Sequence, residues 1–111
     1  MGGLKMNTPK ELLDDFIKKT EEKSDLTAEM NGTFQYDFSA DNNGKWYVTF
    51  DNGNVTYGEG EAPDAGVTII AKFKNFVDFY NGKLNAMAAV MTGKLKIKGN
   101  MAEAMKMQKF L

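Results

Sequence analysis

The spacing of apolar residues changes several times along this chain, and each change marks the boundary of an element. Leu12, Leu13, Phe16 and Ile17 share one stripe while Asp14, Asp15, Lys18 and Lys19 fall outside it, which predicts an amphipathic helix covering a core. Thr8, Pro9 and Glu11 mark its start, with a capping-box spacing and a proline where a missing N–H does no harm. Residues 21–31 are polar and less regular, a connector with one short helical turn around 26–30.

From Gly32 the period becomes two. Phe34, Tyr36 and Phe38 alternate with Gln35, Asp37 and Ser39, as in a half-buried strand. A turn at 41–44 leads to Trp46, Val48 and Phe50, and the loop Asp51, Asn52, Gly53 leads to Val55 and Tyr57, so consecutive antiparallel strands are expected. Residues 58–66 hold three glycines, a proline and three acids, and predict the most mobile surface loop. A fourth strand follows at 67–70.

Helical spacing returns at Phe73, Phe76, Val77 and Tyr80, with Asn81 and Gly82 as the stop. Asn85 caps a short helix with the stripe Leu84, Met87, Ala88 and Met91. Residues 94–98 alternate as a fifth strand, with Leu95 and Ile97 inward and three lysines outward. Asn100 caps a last helix running to about Phe110, with the stripe Met101, Ala104, Met105 and Gln108. The order predicts an α+β domain: a five-stranded, mostly antiparallel sheet covered on one face by helices.

The segment 81–111 has five methionines in helical pattern and hardly a side chain capable of chemistry. Methionine is unbranched and polarizable, so a wall built from it adapts to ligands of differing outline. That points to a lipid-sized apolar pocket that holds its ligand without reacting on it.

Composition narrows the classes further. The 111 residues fit a single domain, with 1–7 expected as a flexible tail. With no Cys and no His, thiol and imidazole catalysis, disulfides and the usual zinc sets are excluded, and no cofactor or metal is expected. Every basic residue is Lys and the net charge is −1, which removes both the guanidinium fork and the basic field of a nucleic-acid binder. Ser24 and Ser39 lack a nucleophile-elbow context, no carboxylate pair has an apolar flank to raise a pKa, and the glycines near Gly58 and Gly60 do not form a phosphate loop.

No run reaches the roughly 20 apolar residues of a membrane span, and the N-terminus lacks a signal-peptide core, so a cytoplasmic protein is expected. The ending Lys109, Phe110, Leu111 is not a peroxisomal Ser-Lys-Leu address, and Met6 stands where a myristoylation signal places Ser or Thr.

The run Asn81, Gly82, Lys83, Leu84, Asn85, then Met91, Thr92, Gly93, Lys94, Leu95, then Ile97, Lys98, Gly99, followed by the Met/Ala-rich helix, resembles the sterol carrier protein type-two family. Gly44, Lys45 and Trp46 agree more weakly, and the resemblance spans about 9–111. It implies a five-stranded sheet covered by helices, with an apolar tunnel between them for fatty acids, acyl-CoA, sterols or other lipids. The chain departs from the family pattern in two places: Ala86 stands where proline is common, and Ala71 and Lys72 stand where Ser or Asp caps the helix after strand four. The missing peroxisomal address favours a prokaryotic stand-alone member.

With this resemblance the candidate ligand-binding residues are Phe76, Tyr80, Met87, Met91, Met101, Ala104, Met105 and Gln108. Gln108 has two readings, an amide satisfied by backbone or buried water, and one that meets a ligand's polar head. Lys94, Lys96 and Lys98, with Lys83 near in sequence, are either a solvated row protecting a strand edge or a patch for anionic membrane or coenzyme A phosphates. Trp46 belongs to the sheet core and serves as a reporter. The expected function is non-catalytic lipid binding and transfer. The alternative is an accessory module presenting a lipid intermediate, for example in quinone biosynthesis, to partner enzymes.

Overall fold

A computed structural model describes residues 7–111, so the tail expected at 1–7 lies, except for Asn7, outside the described residues, as do Gly2 and Met6. The chain runs through α1 (Pro9–Glu22), α2 (Ser24–Ala28), β1 (Gly32–Asp37), a 3-10 turn (Ser39–Asp41), β2 (Lys45–Asp51), β3 (Asn54–Glu59) and β4 (Val67–Ile70). It continues as α3 (Phe73–Tyr80), α4 (Ala86–Met91), β5 (Lys96–Gly99) and α5 (Met101–Met107), and closes in a second 3-10 turn (Gln108–Phe110). The strands form one sheet in the order β3-β2-β1-β4-β5. Only the β1–β4 pair is parallel, so the expected α+β, mostly antiparallel architecture is the one that forms.

Alternation decides which face of the sheet is covered. Phe34, Tyr36, Val48, Phe50, Val67 and Ile69 are buried on the inner face. Their registers, Phe34 opposite both Val48 and Val67 and Tyr36 opposite Ile69, make this one continuous apolar surface. Helix α1 closes over it. Thr8 Oγ1 accepts the Glu11 N–H at its start, and Phe16 meets the rings of Phe50, Tyr80 and Phe110 edge-on at 5.4–6.5 Å between centroids.

The opposite face is crossed by the chain itself. β3 and β4 run in the same direction with β2 and β1 between them, so residues 60–66 must pass over the sheet to start β4. Gln35, pointing to that face, holds the crossing: its amide donates to the carbonyls of Trp46 and Gly60 and accepts from the Ala62 N–H. Lys45 pairs with Glu61, and the Gly66 N–H bonds the Thr33 carbonyl. The loop expected to be most mobile is therefore a fastened strap. Its polar composition reflects a path over the solvent-facing side of the sheet, and that path leaves it no way to cover anything on the helix side.

Other boundaries shift for local reasons. The connector after α1 turns helical at 24–28, earlier than 26–30, because the Thr27 hydroxyl bonds the carbonyls of Thr20 and Lys23. Phe38 lies beyond β1, buried at the start of the first 3-10 turn. β5 begins at Lys96 because the N–H groups of Lys94 and Leu95 both bond the Ala89 carbonyl, which leaves Lys94 in a turn and only Lys96 and Lys98 on the strand.

The two methionine-rich helices are rotated from the expected stripes. In α4 the buried positions are Ala86 and Ala89, while Met87 and Met91 are 63% and 83% exposed. Alanines three apart let the helix backbone sit close to the core, and long side chains one position away then point outward. In α5 the buried series is Ala104, Met107 and, through the tightened last turn, Phe110, while Met101 and Met105 are 48% and 39% exposed. Phe110 stacks on Phe50 at 6.0 Å and meets Phe16 at 5.4 Å, and burying that ring sets the rotation of the helix.

Candidate lipid cavity

A small apolar cavity lies between the β4–β5 end of the sheet and the last three helices. Ile69 and Ile97, cross-strand partners on β4 and β5, form its floor. Phe76 and Phe79 enter from α3, Ala86 from α4 and Leu95 from the turn before β5. Helix α5 contributes Ala104, Met105, Met107 and Gln108, the last being the sole polar lining residue. The volume is about 20 Å³, room for about one water, so a lipid is admitted only if the wall moves. The expected tunnel is thus nearly closed in this state.

Of the candidate ligand residues, Phe76, Ala104, Met105 and Gln108 are brought together here. Tyr80, Met87, Met91 and Met101 do not line the cavity. The three methionines are on the outer sides of α4 and α5. Tyr80 is buried and donates its hydroxyl to Asp15 at 2.6 Å, with the Lys19 ammonium 4.4 Å above its ring, so it fastens α3 to α1. Burial, and then the Asp15 carboxylate, push the phenol well above its ordinary range and keep it protonated. Gln108 is half-buried, and its side chain forms no hydrogen bond among the described residues.

Ile69, Phe79, Ala86, Leu95, Ile97 and Met107 line the cavity without having been singled out. Two carried a readable signal: Phe79 stands three residues after Phe76, and Met107 three after Ala104. Leu95 and Ile97 were expected to face inward, and Ile69 and Ala86 required the tertiary structure.

The N-terminus of α3 explains how the chain manages without a capping side chain at Ala71 or Lys72. Asp41, from the first 3-10 turn, accepts the N–H groups of Phe73 at 2.9 Å and Lys74 at 3.3 Å. Partial burial opposes ionisation of Asp41, but the Phe73 N–H, the Asn43 side chain and the Lys74 N–H together outweigh it and hold its carboxyl below the usual range.

No charged side chain lines the cavity, and among the described residues no group of His, Cys, Asp or Glu is placed to hold a metal ion. The site can bury apolar surface and offer one amide. Comparison with known proteins agrees with that chemistry, since residues 10–111 match the SCP-2 sterol transfer family. The chain belongs to that family. Lipid binding and transfer in general come with this membership.

Among relatives, hydroxysteroid dehydrogenase-like protein 2 of Bos taurus is 35% identical over 102 residues, covering 90% of this chain but 22% of its own length. The SCP-2 chain described here thus spans about a fifth of that relative. Sterol carrier protein 2 of Yarrowia lipolytica, in its apo form, superposes with a TM-score of 0.72 at 25% identity, over 96% of this chain and 93% of its own. A structure described as UbiJ-SCP2, a ubiquinone synthesis protein, shares the fold with a TM-score of 0.69 at 17% identity, over 90% of this chain and 82% of its own.

Proposed function

We propose that this SCP-2 domain is a non-catalytic carrier that shields one acyl or isoprenoid chain between its sheet and helices α4 and α5. One observation carries the reading: an uncharged apolar cavity is walled on one side by α4, which packs through Ala86 and Ala89, and by α5, which packs through Ala104 and Met107, and the two helices carry four exposed methionines. Alanine contacts are small, so α4 and the first turn of α5 shift at lower cost than segments held by interlocked aromatics, such as the turn that carries Phe110. Methionines released by the shift adapt to a new neighbour. Met105, which touches the cavity and is also exposed, is the side chain a lipid displaces on its way in. Affinity comes from buried methylenes, about 0.8 kcal/mol each before the costs of binding, which favours broad selectivity among fatty acyl, acyl-CoA, sterol-like and isoprenoid ligands.

Native mass spectrometry of freshly purified protein, followed by lipid extraction from the same sample, tests this. A discrete adduct, or a rise in melting temperature on adding a long-chain lipid, is the expected result, because a ligand that binds only the folded state stabilises it. A clean protein mass with no lipid-dependent change in melting or in Trp46 fluorescence would overturn it.

The exposed Met87 and Met91 favour a second reading, in which the same domain presents its lipid to a partner enzyme that covers them. In either reading the protein works in the cytoplasm, and the exposed Lys94, Lys96 and Lys98 bring it to anionic membrane.

A further inference from the structure

Tyr36 differs from every other buried hydroxyl or ring N–H for which a bond is described. Thr20, Thr27, the half-buried Trp46 and Tyr80 all donate to oxygen: the Ile17, Thr20 and Asn43 carbonyls and the Asp15 carboxylate, respectively. Tyr36, only 1% exposed, donates to the Met107 sulfur, a weak acceptor. Its neighbours are the cavity wall. Ile69 is its cross-strand partner, Phe76 meets its ring at 5.3 Å and Met107 takes its proton, and all three line the cavity.

We propose that Tyr36 is the polar anchor for the lipid, donating its hydroxyl to an uncharged oxygen, as in an alcohol, ketone or ester, when Met107 swings aside. This deepens, and rests on, the carrier reading above. An oxygen is a better acceptor than the thioether, and an unbranched methionine finds another rotamer at little cost. The phenol is completely buried, which pushes its pKa up and leaves it a donor throughout the physiological range. No cation lines the cavity, and the Lys19 ammonium lies over Tyr80, whose hydroxyl already bonds the Asp15 carboxylate. Burying an ionised carboxylate beside Tyr36 without a cation is unfavourable. The site therefore prefers a fatty alcohol or ketone over a fatty acid of the same length.

Displacement of a fluorescent fatty probe by dodecanol, dodecane and dodecanoate tests this in the wild type and in Tyr36→Phe, Gln108→Leu and Met107→Leu. The wild type is expected to bind dodecanol about five- to tenfold more tightly than dodecane, and more tightly than dodecanoate. Tyr36→Phe keeps the ring and should bind dodecane as the wild type does while losing the advantage of the alcohol. Met107→Leu leaves the phenol but removes its acceptor, and should keep or widen that advantage. An advantage that survives in Tyr36→Phe, vanishes in Met107→Leu or is lost only in Gln108→Leu would overturn the anchor while leaving the carrier intact. Failure of the wild type to bind probe or any competitor would overturn the carrier reading itself.

Discussion

The two ends of the sheet are built from different materials. At the β3–β2–β1 end, α1 is fastened by rings and strong hydrogen bonds: Phe16 against Phe50, Tyr80 and Phe110, Tyr57 to Asp14, and Tyr80 to Asp15. At the β4–β5 end, α4 and α5 lie over short strands with Ala86, Ala89, Ala104 and Met107 inward and Met87, Met91, Met101 and Met105 outward. The first arrangement fixes side chains in one geometry. The second leaves a cavity and a wall whose contacts are small and replaceable. A carrier needs both, because a movable wall opens reproducibly only when the opposite wall stays in place.

The largest effect that would break this comparison is expected at Phe16. Phe16→Ala removes the shared partner of three rings and should cost about 3–5 kcal/mol in urea unfolding, a large part of a small domain's stability. A loss below about 1 kcal/mol would mean that the aromatic end is not the anchored one. Next is Gly99, at the end of β5 opposite Val67. It has φ +97°, and a Cβ there would be placed against the Gly66 carbonyl, so Gly99→Ala should cost roughly 1–3 kcal/mol. That result would show that the movable end still depends on a close backbone seam.

Lipid affinity sharpens the contrast. Met105→Glu puts a charge where the cavity meets solvent, and should weaken lipid binding about tenfold while changing the unfolding midpoint little. Equal loss of stability and affinity would argue against a movable wall.

Asp41→Asn should cost about 1 kcal/mol by weakening the cap on α3. The carboxyls of Asp14, bonded by the Tyr57 hydroxyl, and Asp37, bonded by Ser39, are depressed like that of Asp41. A depressed folded pKa contributes stability above the unfolded value near 4 and loses it as pH falls through the lower folded value. Unfolding free energy measured against pH should thus be flat toward neutrality and fall below about pH 4, less steeply in Asp41→Asn. The smallest effect is expected at the surface: Met87→Ala and Met91→Ala should change stability by no more than about 0.5 kcal/mol.

Element types were legible because local spacing reports them directly. Thr8 with Glu11, Asn85 and Asn100 cap the helices they were expected to cap. Half of the cavity candidates were legible too, Phe76, Ala104, Met105 and Gln108, since helix spacing brings Phe76 to the core and the α5 residues to one turn. The strap over the open face was misjudged because glycine, proline and acid content describe exposure, whereas Gln35 holds the strap through contacts remote in sequence. Likewise the cap on α3 comes from Asp41, three strands earlier in the chain, and a reading confined to residues 71–72 misses it.

By itself, then, the sequence determined periodicity, caps and the absence of reactive side chains, all of which depend on neighbours within a turn or two. Tertiary structure decided the rotation of α4 and α5, the residues that meet around the cavity, and the pairing of Tyr36 with Met107. Several helix faces are apolar enough to turn inward, and which one does depends on volume. Phe110, Met107 and the paired alanines fit the space left by the sheet, and Met87, Met91, Met101 and Met105 were turned out of it.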